Sequence, residues 1–185
     1  MTREVRPVLV VVDAQVGFVN GLSRHVVPVI QELVGRWQAT GRHTVFTRFF
    51  NHPGSPYERI IGWTKMHPGD PGTELVAPLV HAAGRATAVL DKTGYTSITD
   101  DFLRLAVRHA WTDVLVCGFD TESCVLKTAV DAFEQFFTPW LIADASASHA
   151  GPAAHEAGLL VARRTIGAGH VVTAGELPLP VRPAA

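Results

Sequence analysis

Val114-Leu115-Val116-Cys117-Gly118-Phe119-Asp120-Thr121-Glu122-Ser123-Cys124 reads as a buried β-strand that turns directly into a helix. Its first four residues are apolar without alternation, which suits a strand covered on both faces. Gly118 ends the strand, and Asp120 or Thr121 can cap a helix over Thr121–Phe136. The chain on either side repeats this unit. Upstream, Val8–Val12 is a fully buried strand, followed by a helix around Val26–Thr40, and His43–Phe49 is the next strand. A helix near Thr73–Ala83, bent or shortened by Pro78, leads to a strand at Ala86–Leu90 and a helix near Thr99–His109. Downstream come a strand at Trp140–Ala143, a helix at Pro152–Thr165 opened by its proline, and a short strand at His170–Val172. Six apolar strands alternating with helices imply an open parallel sheet covered by helices on both faces.

The 185 residues fit one domain, with a core over about residues 8–175 and a proline-rich tail over 177–185. Hydrophobic residues make up 47% and charged residues 18%, the balance of a chain that buries a core. The 16 Lys and Arg nearly match the 17 Asp and Glu, so no net field draws nucleic acid or an anionic membrane. The opening, Met1-Thr2-Arg3-Glu4-Val5-Arg6-Pro7, meets the strand at once. Val8–Val12 is too short for a secretion signal or a membrane span, and a cytoplasmic protein is expected. Two cysteines, Cys117 and Cys124, are too few for a disulfide framework, so both are expected as free thiols. Asn51–Gly72 holds four prolines and four glycines, and an ordered connection of that length usually serves function.

In an open parallel sheet, ligands bind outside the carboxyl ends of the strands. The first strand ends at Asp13, the third runs Val89-Leu90-Asp91 into Lys92, and the fourth leads to Cys124. A carboxylate, an ammonium and a thiol then share one edge. In the first turn of a helix, Cys124 gains from unpaired N–H groups and the helix dipole, which lower a thiol pKa and can hold an oxyanion. Position alone leaves plainer readings open. A buried cysteine often serves as a small hydrophobe, Asp13 can cap or orient a loop, and lysines are commonly on the surface. Cys117, inside an apolar strand, reads as structural.

The stretch Gly118-Phe119-Asp120-Thr121-Glu122-Ser123-Cys124-Val125-Leu126-Lys127-Thr128-Ala129-Val130-Asp131-Ala132 resembles the signature of the isochorismatase-like cysteine hydrolases. Val12-Asp13-Ala14-Gln15-Val16-Gly17-Phe18 resembles that family's first motif. Lys92-Thr93-Gly94-Tyr95-Thr96-Ser97 is similar to its lysine motif, and Asp144-Ala145-Ser146-Ala147-Ser148 to its late Asp-Ala segment. These motifs occur in the family's order over roughly residues 8–175, and their agreement carries more than any one of them. The resemblance implies a three-layer α/β/α, Rossmann-like fold around a six-stranded parallel sheet. It implies Cys124 as nucleophile, Asp13 as acid/base and Lys92 as supporting ammonium in hydrolysis of a small amide through a thioester. It also implies a cis peptide bond between Phe119 and Asp120, with the N–H groups of Asp120 and Cys124 as the oxyanion hole. A homo-oligomer, most simply a dimer, follows from the same resemblance and from the apolar side chains of the Asn51–Gly72 loop.

Two departures narrow the reading. Nicotinamidases of this superfamily carry an Asp-x-His metal motif after the second strand. Here the stretch is Thr47-Arg48-Phe49-Phe50-Asn51-His52-Pro53, with phenylalanines where the aspartate would fall. No metal or other cofactor is expected, and nicotinamide is disfavoured as substrate. Isochorismatase proper cleaves a vinyl ether, whereas a cysteine in the signature position favours C–N hydrolysis. Phe18, Trp63, Tyr95 and Phe119 flank the motifs and are the expected substrate-binding aromatics, Tyr95 and Phe119 above all. Arg59 and Lys65 in the long loop are candidate partners for a substrate carboxylate. The competing readings are a vinyl-ether hydrolase and a catalytically silent binding domain on the same fold. Gly167-Ala168-Gly169 precedes a strand rather than opening a helix and is not a dinucleotide loop.

Overall fold

The computed structural model describes residues 4–177, so the tail expected from Leu177 lies outside them beyond that residue. Its middle layer is a wholly parallel six-stranded sheet in the order β3-β2-β1-β4-β5-β6. The strands are β1 (Pro7–Val12), β2 (His43–Phe49), β3 (Ala88–Lys92), β4 (Asp113–Phe119), β5 (Thr138–Ala147) and β6 (Val171–Val172). The helices are α1 (Val27–Ala39), α2 (Pro56–Arg59), α3 (Ala77–Gly84), α4 (Asp100–His109), α5 (Leu126–Glu134) and α6 (Pro152–Thr165). This is the three-layer α/β/α architecture that the strand–helix alternation and the resemblance implied.

Each strand of the central pair feeds two cores because successive side chains point to opposite faces. Leu9 and Val11 of β1 pack with Ile30, Leu33 and Trp37 of α1 and Leu79 of α3. Val8, Val10 and Val12 pack on the other face with Phe102 of α4, Ala129 of α5 and Leu159 of α6. From β1 the chain builds outward to β2 and β3; from β4 it builds the opposite way to β5 and β6. The strand order therefore reverses between β1 and β4, and the carboxyl ends of these two strands frame the crevice. Among the described residues, no helix is long and apolar enough to cross a membrane.

Several elements differ from the sequence reading, β4 among them, which runs through Gly118 to Phe119 because those residues pair with Ser146 and Ala147. The third strand begins at Ala88 and includes Lys92, because edge strand β3 pairs in register with β2, Phe49 opposite Lys92. Helix α3 starts at Ala77 rather than near Thr73, shortened rather than bent, with Pro78 in the first turn where a proline lacks only an N–H that would go unused. Strand β5 runs on to Ala147, past a register shift against β4 between Val116 and Gly118. The helix expected over Thr121–Phe136 starts as a wide turn, with the Val125 N–H donating to the Asp120 carbonyl five residues back, and becomes α-helical only at Leu126.

Gly118 marks the closest approach in the sheet. Its φ is +118°, and a Cβ there would lie 2.1 Å from the Val12 carbonyl oxygen and 2.8 Å from the Val12 nitrogen. Backbone atoms in a central strand pair cannot yield, so Gly118→Ala is expected to destabilise the fold by about 2–4 kcal/mol. Gly35, exposed in α1 with nothing within 4 Å of an added Cβ, is the control. Gly35→Ala is expected to stabilise by roughly 0.5–1 kcal/mol. Urea unfolding of both variants decides the point, and equal midpoints would contradict it.

Candidate active site

Asp13 leaves β1 with a φ of +48°, in the left-handed region that aspartate tolerates better than most residues. Its carboxylate is fully buried and is held from two sides. Oδ1 accepts from the Thr47 hydroxyl of β2 at 2.8 Å, and Oδ2 lies 2.6 Å from Lys92 Nζ. Lys92 reaches this position from β3, across the end of β2. Its ammonium also donates to the carbonyls of Gly94 and Tyr95, at 2.9 and 3.0 Å. The Thr47 hydroxyl touches Ser97 Oγ at 3.3 Å, and the Ser97 N–H donates to Thr128 of α5 at 2.9 Å. A polar chain thus runs from the Asp13–Lys92 pair to the helix that follows Cys124. Burial opposes the charge on Lys92, but the Asp13 carboxylate and the Cys124 sulfur outweigh it, and the lysine pKa is raised.

Cys124 sits in the wide turn after β4. The Phe119–Asp120 peptide bond is cis, as the resemblance implied. The N–H groups of Ser123 and Val125 both donate to the Asp120 carbonyl, at 3.2 and 3.0 Å. Gly158 lets α6 lie directly on this turn: a Cβ there would be 2.7 Å from Glu122 Cα. Thr121 Oγ1 and His155 Nδ1 add a hydrogen bond of 2.8 Å between turn and helix.

Two local expectations fail here. Asp120 occupies the capping position but caps nothing. Its carboxylate accepts from the His149 N–H at 2.8 Å and meets His149 Nδ1 at 2.5 Å. The Cys124 thiol is not lowered by its place on the turn. Burial pushes it well above the ordinary thiol range, and the Asp13 and Asp120 carboxylates add to this while Lys92 pulls the other way. Burial and two nearby carboxylates outweigh one ammonium, and the thiol pKa is raised.

The thiol opens onto a cavity of about 230 Å³. Three of the four expected aromatics, Phe18, Trp63 and Tyr95, line it. Phe18 and Trp63 stack at 6.3 Å between ring centroids. Phe119 does not reach the cavity, since it is wholly buried in the core on the face of the sheet that α1 and α3 cover. Arg59 and Lys65 are exposed and lie outside the cavity wall, and Arg59 Nε donates to the Gly54 carbonyl at 3.0 Å.

The sequence reading missed Phe49, Tyr57, Ile61, Glu122, Ser123 and His149 in the wall. His149 follows a strand end like the others, but a fifth strand ended at Ala143 hides it, and the true end is Ala147. Hydrogen bonding to Asp120 holds its imidazole pKa above the usual range, although burial opposes this. The Tyr57 hydroxyl pKa is pushed up by burial, then by Tyr95, Cys124 and Asp13. The long loop is fixed at its base by buried amides. Gln15 Nε2 donates to the carbonyls of Phe49 and Thr73, at 3.0 and 2.8 Å, and Asn51 ties Trp63 to Ser55.

Asn51 and His52 stand where a metal motif would fall. Asn51 is committed to the loop, His52 is exposed, and no group of three or more His, Cys, Asp or Glu among the described residues is placed to hold a metal. The two thiols differ in access. Cys124 faces the cavity, whereas Cys117 is enclosed in β4 with its pKa raised by burial and by Asp144. Iodoacetamide is therefore expected to modify Cys124 first, slowly at neutral pH and faster as the pH is raised, because only the thiolate reacts. Peptide mapping that found Cys117 modified first, or a rate independent of pH between 7 and about 9.5, would contradict this.

A family model described as the isochorismatase domain matches residues 7–176. No curated protein matches the chain. Among solved structures, an isochorismatase family protein from Desulfovibrio vulgaris superposes with a TM-score of 0.79 at 24% identity, covering 94% of this chain and 97% of that one. A nicotinamidase from Bacillus subtilis gives 0.79 at 24% identity, covering 91% and 99%. An N-carbamoylsarcosine amidase from Thermoplasma acidophilum gives 0.76 at 23% identity, covering 94% and 99%. At these identities the likeness is one of fold.

Proposed function

We propose, because this chain belongs to the isochorismatase family, that it is a cysteine hydrolase cleaving the C–N bond of a small amide at Cys124. The observation that supports this reading is the buried Asp13–Lys92 pair, 2.6 Å apart, whose charges reach the Cys124 thiol at the cavity. In the reaction we envisage, the amide carbonyl enters above Cys124. Asp13 takes the thiol proton as the sulfur attacks the carbonyl carbon, and Lys92 holds the charge of the new thiolate. The backbone N–H groups of Asp120 and Cys124 receive the tetrahedral oxyanion. Asp13 returns the proton to the nitrogen, the amine or ammonia leaves, and a thioester remains on Cys124. Water, activated by the same carboxylate, then releases the acid and restores the thiol. A high resting thiol pKa suits this sequence, since the proton moves only once substrate is in place.

The test is a panel of small primary amides, ureido acids and isochorismate, assayed for ammonia and pyruvate with and without a chelator. Ammonia release that survives chelation is the expected result. Pyruvate release alone would favour the vinyl-ether reaction, and no product from any member would favour a silent binding domain. The same reading includes a homodimer, because Ile60 and Ile61 stand 78% and 62% exposed on the loop that covers the cavity. Light scattering is expected to give twice the 19.9 kDa of one chain, and the monomer mass at micromolar concentration would refute it.

A further inference from the structure

We propose that the cavity selects a small ligand whose non-reacting end is positively charged, with Glu122 as its counter-ion; for the ligand to be an amide rests on the function proposed above. The charges around the cavity pair off until one remains. Asp13 is matched by Lys92. Asp120 is matched by His149, whose Nδ1 lies 2.5 Å from the carboxylate and whose pKa is raised chiefly by that hydrogen bond. Glu122 forms no ion pair among the described residues. Its Oε1 accepts from the neutral Ser148 hydroxyl at 2.7 Å, and its Oε2 is buried with no hydrogen-bond partner. Its field reaches His149 and His155, but His149 is committed to Asp120 and burial lowers the pKa of His155. A buried carboxylate oxygen without a donor is a costly arrangement that a bound N–H or cation relieves.

The rest of the wall favours the same sign of charge. Phe18, Tyr57, Trp63 and Tyr95 bring aromatic rings to the cavity, and ring faces attract cations. Among the described residues no lysine or arginine lines it; Lys65 acts on His149 from the exposed loop, where water and salt screen it. An anionic end would meet the Glu122 carboxylate, with only neutral hydroxyls and the Asp120-paired His149 to offset the repulsion. Glu122 also stands two residues before Cys124 on one turn, so cation and reacting carbonyl must lie within a single small molecule.

The experiment uses three ring amides of matched size: piperidine-4-carboxamide, protonated at neutral pH, the neutral cyclohexanecarboxamide, and the anionic 4-carbamoylcyclohexanecarboxylate. Binding is measured by calorimetry on Cys124→Ala at low salt, and turnover by ammonia release from the unaltered protein. The cation is expected to bind at least about tenfold more tightly than the anion, with the neutral amide between them. Glu122→Gln, which preserves the hydrogen bond to Ser148, should bring the cation-to-anion ratio close to one. Equal binding of cation and anion, no binding of either, or a preference unchanged in Glu122→Gln would overturn the proposal. Charge-selective binding without ammonia release would support the Glu122 subsite and overturn only the amide-hydrolase reading.

Discussion

Cys124→Ala is expected to abolish turnover while leaving the fold and the cavity intact. The substitution removes one sulfur atom from a turn held by backbone bonds to Asp120, by the packing of Gly158 and by the Thr121–His155 hydrogen bond. None of these involves the thiol. Loss of the nucleophile in a coupled set costs several orders of magnitude in rate, and removing a second member adds little, so Cys124→Ala and Cys124→Ala/Asp13→Asn should be about equally inactive. The measurement is single-turnover acylation followed by mass spectrometry with a slow amide. The unaltered protein should gain the acyl mass on the Cys124 peptide, and Cys124→Ala should gain none. Near-normal turnover by Cys124→Ala would end the covalent reading and bring the vinyl-ether reaction forward.

Lys92→Ala should lose both activity and stability. The lysine side chain is 1% exposed and the Asp13 side chain 0%, so the substitution strands a carboxylate in the interior with one hydroxyl donor left to it. Breaking a buried pair in this way costs about 3–5 kcal/mol. Asp13→Asn/Lys92→Met removes both charges and should recover most of that stability but none of the activity. Urea unfolding of the two variants separates the effects; a double variant no more stable than Lys92→Ala would show that the ion pair is not the cause. The lysine also sets a pH dependence. Its folded pKa is raised, so its contribution is fully present below the unfolded lysine value of about 10.4 and is lost as the pH rises through the folded one. The unaltered protein should therefore weaken on the alkaline side, and Asp13→Asn/Lys92→Met should lack that component.

The order of elements was readable in one dimension because a parallel sheet covered on both faces demands continuous apolar strands. Val8–Val12 and Val114–Cys117 announce themselves by that demand alone. Strand ends were less readable, because they are set by pairing. Lys92 belongs to β3 through its register with Phe49, and β5 outruns its apolar stretch because Ser146 and Ala147 find partners at Gly118 and Phe119. The second of these hid His149.

The residue types at the first, third and fourth strand ends were determined by the sequence, and parallel topology was enough to place Asp13, Lys92 and Cys124 on one edge. Which of them meet, and in what state, was decided only by the tertiary structure. The Asp13–Lys92 contact depends on a side chain crossing the end of β2. Phe119 turns into the core because its neighbours in β4 set the direction in which it points. The high thiol pKa of Cys124 follows from burial beside Asp13 and Asp120, a sum of desolvation and charge that depends on distances in space and has no signature in residue spacing.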